Sequence, residues 1–284
     1  MKNAIITAAI ALLATFVGVK MFAPAGTAAA QSETALQRVL RTQTLRCAYT
    51  VAPTFIEKDA NTGQLSGLGF DVTEAIAKAL GIAVVWGPEV GPHEIFEGFK
   101  NNAFDANCSG YWRTPERAHG GDFTDPIFYT PAHIFVRKGE QRFKTLADLN
   151  KPEVTFVGMD GEATVPMLPV FFPQAKAQML PGMAQFVDRF LAVTGGKADA
   201  TIADLSMGQE FMAKNPGVLE QLPLPPLVTQ ASALILAHDE QGLKNFLDAG
   251  IASVREKGIL QEIIRTHNVY PGGFLPPASQ VGAL

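Results

Sequence analysis

One segment has side chains that are well suited to binding chemistry. Its sequence predicts Ser109 at the end of a buried strand and Arg117 in the first turn of the helix that follows. Thr114 is suited to cap this helix, and Glu116 is typical of a first turn. An arginine in this position can bind a carboxylate through two parallel hydrogen bonds, aided by the positive potential of the helix N-terminus. The simpler alternative is a surface arginine paired with Glu116 or Asp122.

Strands alternate with helices along most of the chain, a pattern that predicts an α/β fold built on parallel sheets. The predicted strands cover residues 45–49, 82–86, 128–137, 154–158, a segment ending at 204, and 231–237. The predicted helices cover residues 72–80, 94–101 and 243–264. Ligands of open α/β sheets bind at the carboxyl ends of the strands. We therefore expect Ser109, Arg117 and Asp204 to lie in one cleft.

A stripe of apolar residues, Phe186, Val187, Phe190 and Leu191, recurs with helical spacing. Residues with this spacing fall on one face of a helix. We therefore assign the stripe to the hydrophobic core.

The composition argues against some classes of partner. The 284 residues are 47% hydrophobic and 18% charged, which suits one large domain or two modest ones. The formal charge is −4, and it becomes −6 when Lys2 and Lys20 leave with the first thirty residues. Because the chain shows no basic patch or charge run, nucleic acid is not an expected partner.

The N-terminus predicts export. Lys2 precedes an apolar run at residues 4–19, and Ala28, Ala29 and Ala30 supply a small-residue cleavage site. We assign residues 1–30 to a signal peptide that is removed in the periplasm. The run is shorter than the ~20 residues of a spanning helix, although an uncleaved membrane anchor is the alternative.

Two cysteines, Cys47 and Cys108, fall in predicted core strands. Export to an oxidising compartment permits a disulfide if their Cβ atoms face each other. Because that geometry is demanding, we favour two buried thiols over a bond.

Three motifs carry a resemblance to a known family. The first runs from Ser109-Gly110 through Thr114-Pro115-Glu116-Arg117-Ala118 to Asp122-Phe123-Thr124-Asp125-Pro126, the second covers residues 65–72, and the third covers residues 195–204. Together they resemble the periplasmic solute-binding proteins for polar amino acids, family 3, which are receptors of ABC importers. The resemblance extends from about residue 45 to residue 267.

The resemblance implies a two-lobed, type II periplasmic binding protein fold, in the α/β class, in which each lobe has a parallel-type sheet flanked by helices. It places lobe 1 at residues 31–133 and 231–284 and lobe 2 at residues 134–230, joined by two hinge crossings. It implies a monomer that binds a small-molecule ligand and docks on an ABC permease in the inner membrane. No cofactor is implied, and no Cys/His metal spacing occurs in the sequence.

The resemblance also gives roles to three residues. Arg117 matches the arginine that binds the ligand carboxylate, Asp204 matches the carboxylate that binds the ammonium, and Ser109 matches a hydroxyl that holds either group. Such a site suits a zwitterion, because one fixed cation and one fixed anion on different lobes make ligand binding close the hinge. Asp204 as a helix cap and Ser109 as a turn hydroxyl are the alternatives.

Other positions depart from the family pattern. Trp112 stands where a small hydroxyl residue is usual, and Phe55 matches a structural aromatic better than a stacking one. Glu162 follows Gly161 where Gly-Thr-Thr or Gly-Thr-Ser is usual. We expect Trp112 to form a stacking wall or to pack between lobes, and Glu162 to bind a second cationic group of the ligand, to stay solvated, or to pair with Arg113.

The resulting prediction is a solute-binding protein for an amino acid or a related small carboxylate, without enzymatic activity. One alternative is a periplasmic dehydratase of a cyclic carboxylate, in which Glu162 opposite Arg117 acts as general acid. A second alternative is a sensory receptor that reports its ligand without transport.

Overall fold

The computed structural model of the protein describes residues 33–92 and 94–278. The predicted signal peptide at residues 1–30 lies outside the described residues. Within these ranges, no helix combines the length and the apolar character that a membrane crossing requires.

Twelve strands occur in the described ranges, numbered in chain order. They are β1 Thr44–Tyr49, β2 Glu57–Lys58, β3 Leu65–Ser66, β4 Ala83–Glu89, β5 Ala106–Trp112, β6 Asp122–Phe123, β7 Phe128–Arg137, β8 Thr155–Met159, β9 Lys176–Leu180, β10 Ala200–Asp204, β11 Leu219–Gln221 and β12 Val228–Leu236. The strand predicted at residues 128–137 has the predicted bounds, whereas β9 and β11 were not predicted.

Ten α-helices connect and flank these strands in the described part of the chain. They are α1 Ala35–Thr42, α2 Leu68–Leu80, α3 Glu94–Lys100, α4 Pro115–Ala118, α5 Leu146–Leu149, α6 Leu168–Phe171, α7 Asp188–Thr194, α8 Leu205–Lys214, α9 Gln241–Glu256 and α10 Ile259–His267. The helix-start signals of α4 act as expected, because the Thr114 hydroxyl accepts a hydrogen bond from the backbone N–H of Arg117. Helix α2 ends at Gly81, which takes the left-handed conformation.

Ten of these strands form one mixed sheet in the order β4-β1-β5-β12-β7-β10-β8-β9, with β6 and β11 paired to its central strands. The flanking groups are parallel: β1 pairs with β4 and β5, and β8 pairs with β9 and β10. The central pair, β12 and β7, runs antiparallel to each other and to their outer neighbours β5 and β10. Two parallel units are thus joined through two long strands, as two lobes with two crossings require.

The predicted lobe boundaries fall within the two central strands. Residue 134 lies in β7 and residue 231 lies in β12. The division into residues 31–133 with 231–284 and residues 134–230 stays a prediction, since the sheet continues through these strands without a break.

The two cysteines form a disulfide, so the prediction of two buried thiols is wrong. Cys47 of β1 is bonded to Cys108 of β5, with their Cα atoms 5.6 Å apart. The parallel register aligns Cys47 with Ala106 and Ala48 with Asn107, which brings the two cysteine side chains within bonding reach. The bond therefore links two neighbouring strands close to Thr50 and Ser109.

We expect the disulfide to contribute strongly to stability, because it closes a loop between residues 61 apart in sequence. The double variant Cys47→Ala/Cys108→Ala should lose about 2–4 kcal/mol of unfolding free energy, measured by urea denaturation of the exported protein. Reductant should lower the stability of the parent by a similar amount and leave the double variant unchanged. Two titratable thiols in the unfolded, unreduced parent would contradict the bond.

Candidate functional site

A cleft opens near the carboxyl ends of β1, β5, β8 and β10. Every residue assigned to the site from sequence lines this cleft: Phe55, Ser109, Trp112, Arg117, Glu162 and Asp204. The topology explains the convergence, because parallel strands on either side of the central pair direct their carboxyl ends toward one place.

The Arg117 guanidinium enters the cleft without an acidic partner. Its Nη1 donates to the carbonyl of Trp112 at 3.3 Å and its Nη2 to the carbonyl of Gly161 at 3.5 Å. Its Cζ lies 4.6 Å from the centre of the Tyr111 ring, as in a cation–π contact. Among the described residues no carboxylate lies within 4 Å of this group, so the pairing with Glu116 or Asp122 does not occur. Burial lowers the pKa of Arg117, opposed by Tyr111, Asp204 and Glu116.

Hydroxyl groups line the cleft near the ends of β1 and β5. The Ser109 hydroxyl oxygen accepts a hydrogen bond from the backbone N–H of Thr50 at 2.8 Å, so its own proton is available to a ligand. The Thr50 hydroxyl lies 2.5 Å from the Tyr111 hydroxyl and donates to the carbonyl of Val90 at 2.7 Å. These hydrogen bonds hold Ser109 in place within β5, so the alternative of a turn hydroxyl does not apply.

The aromatic walls are held by protein contacts. Trp112 is buried, and its indole N–H donates to the Thr130 hydroxyl at 2.6 Å, which fixes the ring but uses its only donor. Phe55 packs edge-on against Phe274 and at a tilt against Phe128, with ring centres 5.2 and 5.9 Å apart. Trp112 therefore packs in the core and also lines the cleft, while its role as a stacking wall for a ligand stays a prediction, and Phe55 is held chiefly by the aromatic cluster.

Asp204 is a buried carboxylate with spare hydrogen-bonding capacity. It precedes α8, but its side chain makes no capping hydrogen bond, so the helix-cap alternative does not apply. Its Oδ1 is buried and has no hydrogen-bond partner in the described part of the protein. Burial raises the pKa of Asp204 to about 6, and Thr130, Arg189 and Trp112 act in the opposite direction.

Glu162 forms a buried ion pair with Arg189, a residue that the sequence analysis assigned to no role. The Glu162 side chain is 8% exposed, that of Arg189 is 1% exposed, and Nη1 of Arg189 bonds Oε1 of Glu162. The expectations of a solvated acid or a partner for Arg113 are therefore wrong. Glu162 does face the cleft, but the protein already supplies its cation.

Arg189 is enclosed by the helix that carries it and by its neighbours. Its Cζ lies 5.5 Å from the ring centre of Phe186 and 5.3 Å from that of Phe190. Its Nη2 lies 3.3 Å from the Met207 sulfur. Burial lowers the pKa of Arg189 to about 10, with Asp204 acting in the opposite direction, so the group keeps its charge near neutral pH.

Sequence reasoning missed several residues of the cleft: Thr50, Tyr111, Thr164, Phe186 and Met207. Phe186 was assigned to the core and is only partly buried, while Leu191 of the same stripe is 50% exposed. Phe186 precedes α7, and the position of Arg189 between Phe186 and Phe190 was the available signal for a buried arginine. The described residues contain no cluster of three or more potential metal ligands from His, Cys, Asp and Glu.

Comparison with known proteins places the chain in a family. The family model described as bacterial extracellular solute-binding proteins, family 3, matches residues 45–269. The chain belongs to this family.

Two characterised relatives illustrate its range. Cyclohexadienyl dehydratase of Pseudomonas aeruginosa is 25% identical over 233 residues, which are 81% of this chain and 84% of that protein. ABC transporter arginine-binding protein 1 of Escherichia coli is 23% identical over 215 residues, which are 74% of this chain and 84% of that protein. The family thus includes a relative named as an enzyme and one named as a receptor.

Solved structures confirm the predicted type II fold. An ancestral amino acid-binding protein, described as a precursor of cyclohexadienyl dehydratase, matches with a TM-score of 0.71 and 25% identity over 82% of this chain and 98% of its own. A binding component of an ABC transporter from Wolinella succinogenes, complexed with lysine, matches with a TM-score of 0.71 and 25% identity over 81% of this chain and 97% of its own.

The raised pKa of Asp204 predicts a specific pH dependence of stability. Because the folded-state value of about 6 exceeds the ordinary 3.8, the folded protein binds this proton more tightly than the unfolded chain does. Stability should therefore fall as pH rises from about 4 to about 6, by on the order of 2–3 kcal/mol, and this contribution should then stay constant.

The variant Asp204→Asn keeps the shape of the side chain and removes its titration. We expect the unfolding free energy of this variant, relative to the ligand-free parent, to increase through that pH window and to level off above it. Urea denaturation at a series of pH values measures the difference. Parallel pH profiles for parent and variant would contradict a raised pKa.

Proposed function

We propose that this protein captures an α-amino acid in the cleft between its lobes, without chemical conversion, and delivers it to an ABC permease. In this proposal Arg117 binds the carboxylate of the ligand and Asp204 binds the ammonium. Ser109 donates its hydroxyl proton to the same carboxylate, and Trp112 forms one wall against the rest of the ligand.

One observation carries the proposal: the cleft holds a cation and an anion whose hydrogen-bonding capacity the protein leaves unused. Within the described residues, the half-buried Arg117 guanidinium donates to two backbone carbonyls, at long distances, and Asp204 has a buried oxygen without a partner. Leaving charged groups removed from water in this state is costly unless a ligand completes their hydrogen bonds. A zwitterion supplies a carboxylate for Arg117 and an ammonium for Asp204 while adding no net charge.

The partners follow from the family and from the predicted export signal. Relatives are named as binding proteins of ABC transporters, and the family is described as extracellular. We infer a monomeric periplasmic protein that meets its permease at the inner membrane. A sensory role uses the same ligand chemistry and differs only in the membrane partner.

The variant Arg117→Ala should lower the affinity for the amino acid by at least about 100-fold, because it removes the charged partner of the ligand carboxylate in a desolvated site.

The ligand is identified first. The full-length chain is expressed, and the exported protein is purified, unfolded to remove carried-over ligand, and refolded. A ligand at 100 times its dissociation constant adds about 2.7 kcal/mol of stability, so a thermal-shift screen of amino acids identifies it.

Arg113→Ala is the matched control for this variant. Arg113 lies four residues before Arg117 and is exposed, so its loss should leave affinity within about twofold of the parent. Calorimetric titration of all three proteins with the ligand from the screen gives the comparison. Equal affinities for Arg117→Ala and Arg113→Ala would show that the carboxylate binds elsewhere.

The role of Asp204 has a separate signature. Below the pKa of about 6, affinity for an α-amino acid should fall about tenfold per pH unit, since the ammonium requires the ionised carboxylate. Asp204→Asn should remove this slope and weaken the amino acid far more than its deaminated analogue. Equal losses for the two ligands would exclude Asp204 as the ammonium partner.

A dehydratase is the second candidate, and one observation favours it. Asp204 is a buried carboxyl group whose pKa of about 6 keeps a fraction of it protonated near neutral pH, as a general acid requires. Cyclohexadienyl dehydratase of P. aeruginosa is among the relatives. Glu162 fits this role poorly, because it is already held in a buried ion pair with Arg189.

The two candidates separate by product formation. The purified protein is incubated with a cyclohexadienyl carboxylic acid that carries a ring hydroxyl, and ultraviolet absorbance follows aromatic product. Turnover that is lost in Asp204→Asn and retained in Arg113→Ala would establish the enzyme. Tight binding of an amino acid, with no product beyond the uncatalysed rate, is the outcome that we expect.

A further inference from the structure

We propose that Arg189 sets the ligand specificity of the cleft: by neutralising Glu162 from within the protein, it selects amino acids with uncharged side chains and excludes cationic ones. This inference rests on the proposed function, and it names the class of ligand that the site takes.

Three charged side chains set the charge balance around the cleft. The charged residues that line it are Arg117, Glu162 and Asp204. If Arg117 and Asp204 bind the α-carboxylate and α-ammonium, Glu162 is the remaining charge that a ligand side chain can meet. Without another cation, that carboxylate would attract a lysine or arginine side chain.

The protein itself provides a cation for Glu162. Arg189 bonds Oε1 of Glu162, and both side chains are almost completely buried. The pair is therefore a fixed part of the site and is not a transient surface contact. A cationic ligand side chain would have to share one carboxylate with a buried guanidinium, where like charges repel strongly.

Arg189 is confined by the groups around it. The rings of Phe186 and Phe190, the Met207 sulfur and the Ile202 carbonyl surround its guanidinium. Because these contacts hold it in the protein interior, the arginine cannot swing away to admit a cation. No second acidic residue of the described chain forms an ion pair with it.

The remaining surface of the cleft suits an uncharged side chain. Ala163, Phe186 and Met207 line it beside Glu162, with Trp112 as a wall. In the described part of the protein the second oxygen of Glu162, Oε2, has no hydrogen-bond partner, so it remains as an acceptor for an N–H or O–H of an uncharged group. The relatives named for arginine and complexed with lysine take cationic ligands, so this pair predicts a divergence from them.

Matched ligands test the inference on the parent protein. Norleucine has the length of lysine without the side-chain charge, and citrulline has the shape of arginine without it. We expect calorimetric titration to show at least tenfold tighter binding of norleucine than of lysine, and of citrulline than of arginine. Tighter binding of either cationic ligand would overturn the inference while leaving the proposed function intact.

The variant Arg189→Met tests the residue itself. Methionine retains an apolar stem of similar length, and its substitution exposes the charge of Glu162 to the ligand. We expect the preference to shift toward the cationic member of each pair by at least tenfold relative to the parent. An unchanged ratio of affinities would overturn the role of Arg189.

The double variant Glu162→Gln/Arg189→Met is the control for both charge and folding. It removes the buried pair as a whole, which proteins tolerate far better than the loss of one partner. We expect it to fold as the parent does and to prefer the uncharged ligands again. A preference for cationic ligands in this variant would show that Glu162 does not act as the anion, and failure of every amino acid to bind the parent would overturn the proposed function as well.

Discussion

The structure depends on the cost of burying charge where the two parallel parts of the mixed sheet direct their strand ends toward one cleft. Arg117, Asp204, Glu162 and Arg189 converge there, and the burial of each disfavours its charged form. The pKa values of Arg117, Arg189 and Asp204 all shift in the direction that burial dictates. The protein satisfies one pair internally and leaves the other pair incomplete, and this difference separates a structural element from a binding site.

The fold makes this arrangement of four charged groups possible. Ser109 reaches the cleft from within β5 and Arg117 from the helix after it, while Asp204 lies at the end of β10 beyond the central strands. The disulfide between β1 and β5 and the Thr50–Ser109 hydrogen bond stiffen the first of these units. Rigid strand ends can hold polar groups in a fixed geometry in a desolvated space, which a loop alone would not achieve.

Much of the fold and of the candidate site could be predicted from the sequence, and the features that could not be predicted have physical reasons. Arg117 and Asp204 were placed at the cleft because strand-end and helix-start signals are local and the family resemblance aligned both residues, while their roles toward a ligand stay predictions. The Cys47–Cys108 bond was misjudged because strand register decides it, and register is not a local property. Arg189 was overlooked because its helix face reads as apolar, and the acid that pairs with it lies 27 residues away in sequence. Glu162, noted as a departure, was that acid.

The placement of the four charges also bears on how the cleft opens. Glu162, Arg189 and Asp204 all belong to residues 134–230, the predicted second lobe, and Arg117 belongs to the first. If the hinge opens between these lobes, the Glu162–Arg189 pair moves as one unit and stays intact, while Arg117 is returned to water. The attraction that closes the cleft must then come from groups separated by opening, namely Arg117 and Asp204 acting through a zwitterion. The internal pair contributes almost equally to both states, so it shapes the choice of ligand without holding the empty protein closed.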